Sequence, residues 1–264
     1  MERSQRTITL ASGELPYTVV GEGRPVLYLH PAGGVRWTPV LERLAESHQL
    51  FIPVLPGYDG TLFHDGVDSV PALAKMIGEF VDAAIGVNCD VIGHSFGGWV
   101  ATWLAVERPD RVEHLVLECA AGFRPALPNG VPSDPAALRA MLFAHPEKLT
   151  GEEKPPEVEA GNRTATMHYR GPVLGVDDAL VARLGEIENL TLIVHGTEDR
   201  RIPAASSQLL RREIKHAYLV YIWDAGHAIE IDQPERLFDV VDSFLKRSEA
   251  FIVNWGTTAI PLSS

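Results

Sequence analysis

Short apolar runs alternate along this chain with longer segments whose hydrophobic residues recur at the spacing of an α-helix. Several of the short runs are apolar at consecutive positions, which is typical of parallel strands covered on both faces. This alternation predicts an α/β fold, in which right-handed crossovers place helices on both faces of a mostly parallel sheet. The predicted strands are residues 7–10, 15–20, 26–30, 50–53, 88–93, 112–119, 190–195 and 218–223. The predicted core helices are residues 37–47, 70–85, 96–107, 204–212 and 234–247.

Two stretches depart from this alternation. Only residues 11–14 separate the first two predicted strands, so the sheet is expected to begin with an antiparallel hairpin. Between residues 120 and 189 no strand is predicted, and an insertion of this length is typical of a functional cover rather than a simple loop. Its predicted helices lie near residues 134–144, 156–169 and 177–186.

Composition and charge exclude several classes of protein. The 264 residues are 45% hydrophobic and 22% charged, which is ordinary for a globular protein, and α/β chains of this length commonly form one unit. A net charge of −12 argues against nucleic acid as a partner. No apolar leader and no 18-residue uncharged stretch is present, so no membrane partner is expected. Cys89 and Cys119 lie beside apolar runs and fit reduced, buried thiols, as expected in the cytoplasm.

The strongest local motif is Gly-His-Ser-Phe-Gly-Gly at residues 93–98. It follows an apolar strand and opens a helical segment, so Ser95 is expected on a tight turn with its hydroxyl exposed above the sheet. The glycines at 93 and 97 remove side chains that would clash there, and the start of the helix directs free N–H groups at the same point. This pattern predicts that Ser95 is a nucleophile.

A serine hydroxyl needs a base to take its proton and a carboxylate to orient that base. His227 and Asp199 each follow a predicted strand, as Ser95 does, and the carboxyl ends of parallel strands meet at one edge of a sheet. The order Ser, Asp, His is the one expected for a nucleophile elbow. Glu198 and Asp224 remain alternative acids. No group of His, Cys or carboxylate residues has the spacing of metal ligands, so no metal is expected.

An oxyanion hole is expected from residues 30–34, a Gly-containing turn at the end of the strand 26–30. Pro31 has no N–H to donate, which leaves Ala32 as the first choice of backbone donor and Gly33 as the second. The other donor is expected to be the N–H of Phe96, directly after the nucleophile.

These motifs together resemble the α/β-hydrolase superfamily, in the branch that carries a helical cap between the sixth and seventh core strands. The likeness covers about residues 7–248 and rests on residues 30–34, 56–58, 93–98, 195–199 and 226–227. It implies an eight-stranded, mostly parallel sheet flanked by helices. The core would comprise residues 1–121 and 188–264, with a small helical cap or lid at 122–187.

The resemblance also implies a reaction that uses no cofactor. Ser95 would attack the substrate, His227 would carry the proton, and Asp199 would hold His227 in the required tautomer. Water activated by His227 would then release the acid from the acyl-enzyme. Epoxide hydrolases and haloalkane dehalogenases of the superfamily carry Asp at the position of Ser95, so both activities are disfavoured.

Ester hydrolysis is favoured over C–C bond cleavage. The C–C hydrolases that act on meta-cleavage products usually have Asn before the serine and Trp after the histidine, where this chain has His94 and Ala228. The expected substrate is a small or medium-sized, uncharged carboxylic ester. A C–C hydrolase, a haloperoxidase-like perhydrolase and a weakly hydrolytic ligand-binding protein remain alternatives. Beside Gly33, the candidate substrate contacts lie in the cap: Phe123, Phe143, Arg163, His168 and Tyr169. The sequence does not indicate the oligomeric state or a role for residues 250–264.

Overall fold

The computed structural model of the protein describes residues 2–125, 132, 134–150 and 154–251. These residues form an eight-stranded sheet with the strand order β1-β2-β4-β3-β5-β6-β7-β8. The strands are β1 Ser4–Leu10, β2 Gly13–Val20, β3 Arg24–Leu29, β4 His48–Pro53, β5 Cys89–His94, β6 Val112–Glu118, β7 Leu190–Gly196 and β8 Ala217–Ile222. Each of the eight predicted strands is present, which confirms the α/β fold class.

The first two strands form the expected antiparallel hairpin, and β2 also pairs antiparallel with β4. From β4 onward the neighbouring strands are all parallel. The strand β1 begins at Ser4, three residues before the predicted start, because Ser4 pairs with Val19 although the first residues of the strand are polar. At an exposed sheet edge, backbone hydrogen bonds extend a strand that hydrophobicity alone does not reveal.

Helices cover both faces of the sheet. The helices of the core are α1 Pro39–Leu44, α2 Val70–Phe80, α3 Phe96–Glu107, α7 Ala204–Glu213, the short α8 Ile229–Asp232 and α9 Pro234–Arg247. The predicted helix 37–47 is shorter in the structure, because Thr38 caps its first turn and Pro39 fills the first helical position. The predicted helix 70–85 is α2 followed by a π-helical turn at Val81–Ile85.

The segment between β6 and β7 is helical, with α4 Pro135–Leu142, α5 Pro156–Arg170 and α6 Asp178–Val181. Residues 126–131, 133 and 151–153 of this segment, and residues 252–264 of the C-terminal tail, lie outside the described residues. Among the described residues, no helix has both the length and the apolar character needed to cross a bilayer.

The helix α3 is central to the fold, because it is buried from Phe96 to Val106. Trp99 and Trp103 both donate their indole N–H to Oδ2 of Asp177, at 2.8 and 2.9 Å. Asp177 also caps α6 through Oδ1, which accepts the N–H of Leu180 at 3.1 Å. One buried carboxylate therefore attaches the helical segment to the core beneath it.

Candidate active site

Ser95 lies on a strained turn between β5 and α3. Its backbone has φ 53° and ψ −109°, a left-handed conformation that costs free energy for any residue with a side chain. The Ser95 N–H donates to the carbonyl oxygen of Glu118 at 2.9 Å, which fixes the turn against the end of β6. A Cβ atom on Gly97 would lie 2.0 Å from the carbonyl oxygen of Leu29, and one on Gly93 would lie 2.5 Å from that of Gly97. Close backbone packing therefore requires glycine on both sides of Ser95.

A chain of two hydrogen bonds joins Ser95, His227 and Asp199. The distance from Ser95 Oγ to His227 Nε2 is 2.9 Å, and that from His227 Nδ1 to Asp199 Oδ2 is 2.9 Å. Because an ionised carboxylate only accepts, Nδ1 carries the proton and Nε2 is free to accept from the hydroxyl. The structure therefore brings together the three side chains that the sequence singled out, in the tautomer that lets His227 act as a base.

Asp199 is held rigidly in its ionised form. Its Oδ1 accepts the backbone N–H groups of Arg201 and Ile202 at 2.7 and 2.8 Å. Burial alone would raise the pKa of Asp199, but the charge and hydrogen bond of His227 and these two N–H groups lower it to about 2. Of the alternative acids, Glu198 is exposed, and Asp224 instead contacts His145 Nε2 at 2.8 Å.

His227 is only 5% exposed, and its burial lowers its pKa from the ordinary value of 6.5 because the charged form is poorly solvated. The Asp199 carboxylate opposes this effect, whereas the charges of His94 and Arg201 add to it. The imidazole is accordingly neutral at pH 7, the state in which it can accept a proton.

The loop after β3 lies directly against the serine turn. His30 accepts the N–H of Leu55 at Nε2 and donates from Nδ1 to the carbonyl oxygen of Pro31, so it stabilises this loop. Burial lowers the pKa of His30 to about 4, which keeps it neutral. Within the described residues, the N–H groups of Ala32 and Phe96 have no hydrogen-bond partner. No protein group described by the structure occupies these two donors.

A family model described as the alpha/beta hydrolase family matches residues 26–240. The chain belongs to the α/β-hydrolase family.

Among the family's curated proteins, 2-hydroxymuconate semialdehyde hydrolase of Pseudomonas putida is 30% identical over 267 residues, covering 87% of this chain and 90% of that protein. Pimeloyl-(acyl-carrier protein) methyl ester esterase of Aeromonas hydrophila is 27% identical over 250 residues, covering 85% and 96%. The crystal structure of 2-hydroxy-6-oxo-6-phenylhexa-2,4-dienoate hydrolase from Rhodococcus sp. strain RHA1 has a TM-score of 0.74 at 23% identity, covering 93% and 99%. This α/β-hydrolase is therefore similar both to C–C hydrolases and to esterases.

A buried polar cluster lies behind His227, and the sequence did not reveal it. His94 Nε2 donates to the carbonyl oxygen of His227 at 2.9 Å, and His94 Nδ1 lies 3.7 Å from Glu230 Oε2. Tyr28 donates its hydroxyl to the same Glu230 oxygen at 3.1 Å, and Glu118 at the end of β6 completes the group. No local signal could find this cluster, because its members come from separate strands and helices.

Burial and nearby charges shift the pKa values of two members of this cluster, His94 and Glu118. Burial would lower the pKa of His94, but the nearby Glu230 carboxylate, whose Oε2 lies 3.7 Å from Nδ1, raises it to about 9. Burial and the charge of Glu230 raise the pKa of Glu118 to about 8. At pH 7 His94 is therefore protonated, and Glu118 is held mainly in its neutral form. His94, Glu118 and Glu230 are close enough to ligate a cation, but the positive charge of His94 disfavours a cation there.

A second unexpected network joins α5 to the loop after β3. Asn162 donates from Nδ2 to the carbonyl oxygen of Gly33 at 2.9 Å and to Asp59 Oδ1 at 3.0 Å. Asp59 also accepts the N–H of Val35 at 2.7 Å and forms an ion pair with Lys154. The helical segment is thereby attached to the same loop that carries Ala32.

The structure also locates the predicted substrate contacts. Phe123 is buried, and its carbonyl oxygen accepts the Ser206 hydroxyl at 2.9 Å. Tyr169 is buried with its ring centroid 6.3 Å from that of Phe96. Phe143 is half-buried, whereas His168 and Arg163 are exposed, and the His168 ring lies 4.6 Å from that of Phe63. The Tyr169 ring thus lies beside that of Phe96, next to Ser95, and a role in substrate binding stays a prediction for all five residues.

Proposed function

We propose that this protein is a serine hydrolase that cleaves carboxylic esters of small or medium size through an acyl-enzyme. The hydrogen-bonded chain from Ser95 Oγ through His227 to Asp199 carries the proposal. A hydroxyl that is hydrogen-bonded to an imidazole, which is itself hydrogen-bonded to a carboxylate, becomes a much stronger nucleophile. The strained backbone of Ser95 supports it further, because backbone strain is retained where the surrounding structure enforces it and often serves a function.

In the proposed reaction, Ser95 Oγ attacks the ester carbonyl carbon while His227 Nε2 takes the hydroxyl proton. The tetrahedral intermediate carries its negative charge on the former carbonyl oxygen, which the N–H groups of Ala32 and Phe96 stabilise. His227 then gives the proton to the departing alcohol oxygen, which leaves Ser95 acylated. A water molecule deprotonated by His227 attacks the acyl group, and the acid departs as Ser95 regains its proton.

We further propose that residues 122–187 act as a cap over this site. Three contacts support the proposal: Asn162 donates to Gly33, Tyr169 lies beside Phe96, and the N–H of Ala228 donates to the carbonyl oxygen of Leu142 at 2.8 Å. Each contact joins the inserted segment to a residue in or next to the site. A cover of this kind would exclude bulk water from the acyl-enzyme.

The test combines turnover with covalent labelling. Wild-type protein is expected to hydrolyse 4-nitrophenyl butanoate and to react with a fluorophosphonate probe, and Ser95→Ala is expected to lose both. Ser47→Ala is a matched control because Ser47 is an exposed serine that contacts His48 and Asp242, and it should retain both activities. Undiminished labelling of Ser95→Ala would refute the mechanism, and an unreactive wild-type serine would favour a ligand-binding role.

A second candidate is hydrolysis of a C–C bond in a vinylogous diketone. It is favoured by similarity to a hydrolase that acts on 2-hydroxymuconate semialdehyde, at 30% identity over most of both chains. It is opposed by His94 and Ala228, which stand where such enzymes usually carry Asn and Trp. Turnover of such a dienone with far slower ester cleavage would decide for this activity.

A further inference from the structure

Arginine side chains converge where the segment between β6 and β7 meets the loop after β7. Arg124 follows Phe123 beyond the end of β6, Arg170 is the last residue of α5, and Arg201 lies two residues after Asp199. All three are partly buried. Burial, together with the charges of Arg124 and Arg170, lowers the pKa of Arg201 to about 10, although the charge of Asp199 opposes the shift. Burial and the charge of Arg170 likewise lower the pKa of Arg124. The guanidinium groups are therefore close enough to repel one another.

Two of these side chains also carry buried atoms that lack partners. Arg201 Nη1 and Arg170 Nε are shielded from solvent, and neither has a hydrogen-bond partner among the residues that the structure describes. Within the same residues, no carboxylate forms an ion pair with Arg124, Arg170 or Arg201. Several arginines elsewhere in the chain do form such pairs with carboxylates: Arg3, Arg24, Arg43, Arg108, Arg111, Arg183 and Arg212.

Arg201 links this group of arginines to the catalytic candidates, and the residues before Arg124 and Arg170 are held near the same part of the fold. Arg201 is on the same short loop as Asp199, and its charge adds to the effect of burial in lowering the pKa of His227. The Ser206 hydroxyl holds the carbonyl oxygen of Phe123 at 2.9 Å, which fixes the residue before Arg124 against the start of α7. Tyr169, which precedes Arg170, packs near Phe96.

Three like charges in a partly buried position are unfavourable unless an anion balances them. The chain has 35 acidic residues and a net charge of −12, yet its described carboxylates leave these arginines unpaired. Guanidinium groups bind carboxylate and phosphate oxygens through paired, charge-assisted hydrogen bonds. We propose that Arg124, Arg170 and Arg201 form a subsite for an anionic group, a carboxylate or a phosphate, on the substrate whose ester bond Ser95 attacks.

This inference rests on the proposed ester hydrolysis and replaces the expectation of uncharged substrates. The subsite takes no part in bond breaking. It binds one end of the substrate and thereby orients the ester carbonyl over Ser95, so its loss should lower activity on anionic substrates far more than on neutral ones. A purely structural role for the arginines would affect both kinds of substrate equally.

The kinetic test pairs substrates that differ by one charge. Mono(4-nitrophenyl) glutarate is compared with 4-nitrophenyl pentanoate, and 4-acetoxybenzoate with phenyl acetate, so that the anion lies first in the acyl and then in the alcohol part. For at least one pair, Arg201→Gln and Arg170→Gln should each lower the ratio of kcat/KM for the anionic over the neutral ester by about 10- to 100-fold, since charge-assisted hydrogen bonds are lost. Arg211→Gln, at an exposed arginine in the last turn of α7, should leave the ratio unchanged.

Binding and stability separate this proposal from the proposed activity. Calorimetry on Ser95→Ala protein should detect binding of glutarate or of inorganic phosphate. The anion that binds more tightly shows whether the subsite prefers a carboxylate or a phosphate. The double variant that also carries Arg201→Gln should lose this binding. Ligand-free Arg201→Gln should have a Tm at or above that of the wild type, because one repelling charge has been removed. Absence of binding by both anions, or a lowered Tm with an unchanged kinetic ratio, overturns the subsite. Failure of the wild type to cleave any ester overturns only the proposed activity, and anion binding then decides on the subsite.

Discussion

His94 donates a hydrogen bond from Nε2 to the backbone carbonyl oxygen of His227, over a distance of 2.9 Å. The residue beside the candidate nucleophile thus holds the residue that would serve as its base. The two imidazole rings have centroids 5.5 Å apart, so the positive charge on His94 also acts on the titration of His227. A charged histidine behind the base disfavours protonation of that base, which keeps it ready to accept a proton.

Two substitutions of His94 separate its hydrogen bond from its charge. His94→Gln keeps a donor but removes the charge, and His94→Leu removes both. We expect kcat to fall about tenfold more in the Leu variant than in the Gln variant, because a buried carbonyl oxygen loses its partner. Both variants should move the acidic limb of the pH profile of kcat/KM to higher pH, since the pKa of His227 rises without the neighbouring charge. An acidic limb that stays at the wild-type position in both would contradict this role.

Asp199→Asn is expected to lower kcat by about 10⁴-fold, the loss known for the same change in a serine-protease triad. The Asn side chain can place its NH2 group, a donor, where the Asp199 oxygen accepts the N–H of His227 Nδ1. The imidazole is then held with its proton on Nε2, which is the wrong tautomer for a base. Steady-state kinetics on a 4-nitrophenyl ester measure the effect. Glu198→Gln is the matched control because Glu198 is the neighbouring, exposed acid, and it should retain activity within a few-fold. The reverse outcome would identify Glu198 as the orienting acid.

The pH dependence of ester hydrolysis should follow the titration of His227. Only the neutral imidazole accepts a proton, so activity is lost as pH falls through the pKa of His227. Burial lowers that pKa below the ordinary value of 6.5, and the acidic limb of kcat/KM is therefore expected below pH 6.5. A stopped-flow or plate assay across pH 4.5 to 8 measures it. A midpoint above pH 7 would contradict this expectation and would mean that the Asp199 charge raises the pKa of His227 by more than burial lowers it.

Gly97→Ala should destabilise the protein strongly. Its Cβ would lie 2.0 Å from the carbonyl oxygen of Leu29 and 2.8 Å from that of His30, so either the helix α3 or the loop after β3 must move. We expect a loss of several kcal/mol in the free energy of unfolding, at about the upper end of single substitutions, together with loss of activity.

The matched control is Gly161→Ala on α5, where a Cβ meets no atom within 4 Å. Alanine is favoured over glycine in a helix interior by about 0.5–1 kcal/mol, so this variant should be slightly more stable than the wild type. Chemical denaturation of both variants compares the two sites. Equal stability of Gly97→Ala and the wild type would show that the serine turn is less closely packed than these distances imply.

Much of the local structure could be predicted from the sequence. Apolar runs and helical periods gave the positions of the eight strands, and their alternation gave the sheet type, because both signals depend on neighbouring residues only. Ser95 was identified from its flanking glycines, and Asp199 and His227 from their positions after strands. The strand order was less accessible, since the pairing of β2 with β4 depends on contacts between distant segments.

The amino-acid sequence by itself determined the fold class and the three polar side chains that meet at the sheet edge, because periodicity, glycine and strand ends are local properties of a chain. Only the tertiary structure decided what surrounds them. His94 meets Glu118 and Glu230, and three arginines gather without a balancing carboxylate among the described residues, through contacts between segments far apart in the chain. Charge interactions depend on distance and burial, and a linear pattern contains neither quantity.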